Sequence, residues 1–165
     1  MKNTGKYLTT AGMIAAIYAV VTFLTMPLAQ GPVQLRLAEA LTALPCFGTA
    51  GIWGLTAGCF LANFLCGAPL PDVIFGTLAT FLGALGTRAL RRKGILSQLP
   101  PVISNALILP FVLRAAYGLP GSLAYFMLTI GLSELLSAGL LGSLLKRVLE
   151  KNRALFPGEF DKDRE

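Results

Sequence analysis

The feature that most constrains this chain is a succession of long apolar runs separated by short breaks containing proline or glycine. From Leu8 to Met26 there is no charged residue, and similar runs recur to the end of the sequence. In lipid a backbone must satisfy its own N–H and C=O groups, so such runs become helices. About 20 residues are needed to cross a bilayer, with ~17 workable. Composition agrees: 55% of the 165 residues are hydrophobic, 13% are charged, and the mean hydropathy is +0.69. A soluble domain usually carries about a quarter charged residues. The expected fold class is an all-α integral membrane protein.

Reading along the chain, helix 1 is expected over Tyr7–Met26, where Pro27 ends it. Lys2 and Lys6 ahead of an apolar run look like a signal peptide. The run is longer than a signal h-region, however, and others follow, so it is assigned as a mature spanning helix. A polar loop, Gln30–Gln34, comes next, then a short helix 2 over Leu35–Phe47 and helix 3 over Thr49–Leu65. Merged, these two would run for ~45 Å at 1.5 Å per residue, too long for one span. A short helix 2 that reverses near the bilayer edge, with a split at Pro45–Gly48, is therefore expected. Helix 4 is expected over Asp72–Leu90, helix 5 over Leu99–Ala116 and helix 6 over Ser122–Leu149. The chain is then one six-helix domain over residues 1–150 with a polar tail over 151–165.

Orientation follows from counting basic residues. With both termini inside, the cytoplasmic side receives Lys2, Lys6, Arg88, Arg91, Arg92, Lys93, Lys146, Arg147, Lys151, Arg153, Lys162 and Arg164. That leaves only Arg36 and Arg114 of the 14 basic residues outside. This satisfies the positive-inside rule, and the net charge of +6 requires no nucleic-acid partner. The predicted location is the bacterial cytoplasmic membrane, in multi-pass topology.

Charged and amide side chains at membrane depth are costly and usually functional. Glu39, Asn63 and Asp72 fall in the outer half of the predicted bundle, with Asn105 and Glu134 deeper. Each has a plainer reading. Asp72 follows two prolines and is placed to cap helix 4. Arg36 and Glu39, at i and i+3, suit a local ion pair. Asn63 and Asn105 suit interhelical hydrogen bonds. Glu134 has no cation near it in sequence at its depth. Together the set is rich in acceptors and suits a neutral or cationic ligand with several N–H donors, whereas a phosphate would want more arginine.

The chain has no histidine, which excludes a histidine-based metal site, shuttle or catalytic base. Cys46, Cys59 and Cys66 lie in apolar stretches without metal-ligand spacing and read as small buried hydrophobes. No catalytic residue, metal site or cofactor is expected, and the chain is not read as an enzyme. On helix 1, Ala11, Ala15 and Ala19 repeat at i, i+4 and i+8, with Gly12 and Ala16 beside them. Such a stripe admits close helix approach, either by the protein's own helices or by a partner.

These residues resemble the QueT family, within the substrate-binding S components of energy-coupling factor (ECF) vitamin transporters. The resemblance rests on Gln34-Leu35-Arg36-Leu37-Ala38-Glu39-Ala40-Leu41-Thr42-Ala43-Leu44-Pro45 and on Asn63 ahead of Gly67. It extends through Asp72-Val73-Ile74-Phe75-Gly76-Thr77, Pro100-Pro101-Val102-Ile103-Ser104-Asn105-Ala106 and Gly131-Leu132-Ser133-Glu134, so that it covers residues 7–150 in order. One departure is Ala68, where family members often carry a second glycine.

What the resemblance implies is an S component that binds a queuosine precursor or queuine, of the 7-deazaguanine class, from outside. It would then dock on a transmembrane coupling subunit driven by two ATPase subunits. The chain has no GxxxxGK[ST] phosphate loop, so ATP hydrolysis belongs to those partners. Substrate contacts would fall on Arg36, Glu39, Asn63, Asp72, Asn105 and Glu134. The partner-docking face would be Ala11, Ala15 and Ala19. In this reading a glutamate accepts the adjacent N–H and amine of the guanine edge, and the asparagines read its carbonyl and N–H. Two alternatives stay open: an S component for another vitamin or purine-like compound, and a standalone secondary transporter using Asp72 and Glu134 as proton sites.

Overall fold

A computed structural model describes residues 2–29 and 34–152. Six rods alternate in direction. They are α1 (Lys2–Leu24), a 3-10 helix (Leu37–Cys46), α2 (Thr49–Leu65), α3 (Leu70–Ala89), α4 (Leu99–Ala115) and a final rod. The final rod joins α5 (Leu123–Glu134), a π-helical segment (Leu135–Leu141) and α6 (Gly142–Lys151). Short 3-10 turns lie at Met26–Ala29 and Gly94–Gln98. Most of the loop expected over Gln30–Gln34 and the tail beyond Asn152 lie outside the described residues.

Among the described residues, four helices are long and apolar enough to cross a membrane: Thr4–Leu24, Leu70–Ala89, Gly94–Ala115 and Leu123–Lys151. Leu37–Cys46 and Thr49–Leu65 are apolar but shorter. The outer faces carry large exposed hydrophobics, among them Leu8, Phe23, Trp53, Phe64, Ile74 and Leu128. In water these would be a liability; against acyl chains they are the expected surface.

The 3-10 helix departs from the expected short reversing helix. Its start lies beside α3's start, through Arg36 and Asp72, and its end lies beside α3's end, where Arg88 donates to the Pro45 carbonyl at 3.2 Å. It therefore runs alongside α3 instead of turning back. Sixteen α-helical steps from Asp72 to Arg88 cover ~24 Å. Nine steps from Arg36 to Pro45 cover ~18 Å at the ~2.0 Å rise of a 3-10 helix, against ~14 Å in an α-helix. The tighter winding lengthens a short segment. Gly48, fully extended at φ −172° and ψ 156°, then turns the chain into α2.

The small-residue stripe on helix 1 has an internal use. A Cβ on Gly54 would stand 2.8 Å from the Ala11 carbonyl oxygen, and one on Gly58 would stand 2.9 Å from that of Ala15. These pairings keep α1 and α2 parallel and in near backbone contact. Ala11 and Ala15 are buried there, and Ala19 packs against the same core as Tyr18, Leu55 and Cys59. This corrects the expectation that Ala11, Ala15 and Ala19 face a partner, because α2 already occupies that side. Gly12 and Ala16 lie on the open flank, with nothing within 4 Å of a Cβ on Gly12. A second tight seam joins α3 to α4, where a Cβ on Gly83 would come 2.7 Å from Pro101 Cα.

Candidate functional site

A cavity of about 360 Å³ opens at the end of the bundle where α1, α2 and α4 finish and the 3-10 helix and α3 begin. Its polar lining includes Gln34, Arg36, Asn63, Asp72 and Tyr117. Thr22 and Thr25 also line it, but their hydroxyls donate back to the Tyr18 and Val21 carbonyls at 2.8 and 2.7 Å. Such back-bonding is the local solution for a threonine inside a helix, and it leaves less for a ligand.

Asp72 is the hub of this end. Pro71 is the second residue of α3, and Asp72 in its first turn sits where the helix dipole favours a carboxylate. It makes no side-chain cap, however, so the capping role weighed from sequence is not what holds it. Its Oδ2 accepts from the Tyr117 hydroxyl at 2.6 Å and lies 3.7 Å from the Arg36 guanidinium. Its Oδ1 is buried with no partner. Burial and the Asp72 carboxylate raise the Tyr117 phenol well above the ordinary range, which keeps the phenol a donor. Asn63 reaches across the α2–α3 turn to donate to the Asp72 carbonyl at 3.4 Å. Gly67, at φ +69°, closes that turn. Among the described residues no position other than glycine has positive φ, so Ala68 meets no conformational demand for a second glycine.

Arg36 thus pairs with Asp72, not with Glu39. Glu39 faces α1, where the Tyr18 hydroxyl donates to its Oε1 at 2.6 Å. Below it, the Asn105 amide donates to Glu134 Oε1 at 2.9 Å. Glu39 Oε2 and Glu134 Oε2 are buried without partners. Glu39 is 0%, Asn105 1% and Glu134 2% exposed.

The six residues singled out from sequence therefore fall into two tiers. Arg36, Asn63 and Asp72 line the cavity; Glu39, Asn105 and Glu134 lie beneath it, separated by a floor that includes the buried Ala38. Among the described residues that line the cavity, one carboxylate, Asp72, faces one guanidinium, Arg36. Four buried acceptors here (Gln34 Oε1, Asp72 Oδ1, Glu39 Oε2 and Glu134 Oε2) have no partner, as do Thr87 Oγ1, Gln98 Oε1, Ser137 Oγ and Ser143 Oγ elsewhere among the described residues; such orphaned atoms are unusual in a folded protein. Sequence reasoning did not single out Tyr18 or Tyr117. Tyr18 carried a signal, since a phenol inside an apolar helix needs an acceptor. Tyr117 carried none, because its role depends on the turn that returns it over Asp72.

At the opposite, basic end a second polar group is built on Lys146. Its ammonium donates to the Arg91 and Gly94 carbonyls at 3.2 and 3.0 Å and to Ser97 Oγ at 3.0 Å. Here a buried cation ties together the turn that follows α3, which is a structural task.

Helices of membrane-spanning length and a cavity with a polar side-chain cluster at one end of the bundle define a helical integral membrane protein with an open end cavity. More particularly, the chain belongs to the QueT transporter family, whose model, "QueT transporter", matches residues 8–151. A stretch of 85 residues is 33% identical to the "Queuosine precursor transporter QueT" of Lactococcus lactis subsp. cremoris (strain MG1363). That alignment covers 50% of this chain and 50% of the relative's length. No solved structure matches.

Proposed function

We propose that this protein is the substrate-binding S component of an ECF-type importer for a queuosine precursor or queuine, a ligand of the 7-deazaguanine class. The observation that carries the ligand class is the set of orphaned buried acceptors in and under the cavity. A guanine-type edge presents an N–H beside an exocyclic amine, and a carboxylate accepts both in a fork. Asp72 is best placed to do so, with Oδ1 unpartnered and Oδ2 sharing its second acceptor site beside the Tyr117 hydroxyl; Asn63 stands beside it, and Glu39 and Glu134 form a second acceptor tier beneath. The cavity's 360 Å³ lies within the ~300–1,000 Å³ of small-ligand pockets. A ligand lacking the donors leaves these groups unpaired, and that is the source of selectivity. The QueT family model over residues 8–151 and the queuosine precursor transporter of Lactococcus lactis support the same class.

In this reading the basic end is cytoplasmic, as the positive-inside rule requires. The cavity then faces outward. The open flank of α1, with Gly12 and Ala16, meets the transmembrane coupling subunit, and two ATPase subunits supply the energy. A thermal-shift panel of 7-deazaguanines, purines and vitamins on purified protein tests the ligand. A 7-deazaguanine at ~100 times its dissociation constant adds roughly 2.7 kcal/mol of stability. Stabilisation by an unrelated vitamin, with none from deazaguanines, would overturn the assignment.

A further inference from the structure

At the basic end, on the lipid-facing side, a groove of about 440 Å³ lies between the Gly94–Gln98 turn, the start of α4, the π-helical segment and α6. Its walls are Ile95, Leu96, Leu99, Leu135, Leu140 and Leu144, each between 40% and 63% exposed. Arg147 stands on its edge and also lines an adjoining recess with Gly94, Ser143, Lys146 and Glu150.

The charges around it are unequally used. Lys146 turns inward, and its three bonds hold the Arg91–Gly94 turn against α6. Arg92 and Lys93, exposed in the turn that this grip holds, directly precede Gly94, which shares the recess with Arg147. None of these three forms an ion pair among the described residues, and Glu150 is the acidic group in the recess. The rim is therefore basic on balance, directly beside an apolar slot running along the bundle.

We propose that this groove holds an acyl chain of an anionic phospholipid, whose phosphate is taken by Arg147 and the Arg92–Lys93 turn. The chemistry of the slot changes from hydrocarbon to cation over one helical turn, as a phospholipid changes from acyl chain to headgroup. Each basic residue near an anionic headgroup strengthens its binding severalfold, and basic pockets between spanning helices are a known way to hold acidic lipids. A helix of another protein would fill the apolar part and leave the cationic rim unpaired. The site is independent of the ligand cavity, which lies at the other end.

The test uses full-length protein in detergent, equilibrated with dioleoyl phosphatidylglycerol or dioleoyl phosphatidylcholine, with retained lipid measured by native mass spectrometry. The phosphatidylglycerol is expected to bind about tenfold tighter than the phosphatidylcholine. Arg147→Ala should lower phosphatidylglycerol affinity about fivefold and leave phosphatidylcholine unchanged, while Arg147→Lys retains the preference. Leu144→Trp, which fills the slot from an exposed position, should weaken both lipids. Equal retention of the two lipids overturns the proposal. So does a headgroup preference that survives Arg147→Ala, lipid retention unchanged by Leu144→Trp, or equal protection by inorganic phosphate. Cross-linking of position 144 to a coupling-subunit helix in membranes would assign the groove to a protein and overturn it as well.

Discussion

The Asn105 amide and Glu134 Oε1, 29 positions apart in sequence, meet at 2.9 Å in the buried middle of the bundle. The bond ties α4 to the last residue of α5, where the final rod changes to π winding at Leu135. π segments inside α-helices occur frequently at functional sites. Here the wider turn follows directly on a glutamate with one unpartnered oxygen.

If Glu134 and Glu39 accept from the ligand, Glu134→Gln and Glu39→Gln exchange a charged acceptor for an amide of the same shape. At least one should weaken deazaguanine binding by about 1.5–3 kcal/mol, the range for hydrogen bonds to charged groups. Calorimetry decides this; unchanged affinity in both mutants would reduce the pair to a structural role.

Asp72→Asn should weaken binding more than either glutamine variant, because Asp72 lines the cavity directly and its Oδ1 is free. A loss of about 1.5–3 kcal/mol is expected at this position also. Should Asp72→Asn bind normally while Glu134→Gln does not, the ligand lies in the deeper tier, beneath Ala38.

Tyr18→Phe leaves Glu39 buried with neither carboxylate oxygen bonded to a side chain. Loss of about 1–3 kcal/mol of stability follows from stranding a buried acceptor. Thermal unfolding of ligand-free protein in detergent reads it. An unaltered melting temperature would mean that Glu39 finds another donor.

Gly76→Ala acts on the site from behind. Its Cβ would stand 3.0 Å from both Asn63 Nδ2 and Asp72 Oδ1. Both side chains must move by a few tenths of an ångström, so ligand affinity should fall about tenfold while the helices stay folded. Calorimetry with circular dichroism as the control checks both halves; full affinity would show that neither atom contacts ligand.

Two neighbouring alanines on α1 should behave oppositely. Ala15→Trp drives an indole into the seam against Gly58 and should damage folding and ligand binding together. Ala16→Trp, on the open flank, should leave ligand binding intact yet block uptake in cells that express the coupling subunit and ATPases. Normal uptake by Ala16→Trp would remove that flank as the docking face.

The run of uncharged residues from Leu8 to Met26, and its successors, determined a helical membrane protein without any tertiary information, because lipid admits few other backbones. Glu39, Asn63, Asp72, Asn105 and Glu134 also stood out unaided, since a polar group at that depth needs a reason. All five are buried, and each takes part in at least one side-chain hydrogen bond. Partner choice was not legible. Sequence spacing suggested Arg36 with Glu39, but Arg36 stands outside the 3-10 helix as its non-helical N-cap (φ −95°, ψ 89°) and the helix has α1 and α3 among its neighbours, so Glu39 went to Tyr18 and Arg36 to Asp72. Nor could the alanine stripe declare its occupant. Small side chains permit a close approach by any helix, and only the register that sets Ala11 and Ala15 against Gly54 and Gly58 decided that α2 takes the place. Local pattern determines which groups must be buried, bonded or closely packed; which groups meet depends on winding, register and rod direction, which no short stretch of sequence contains.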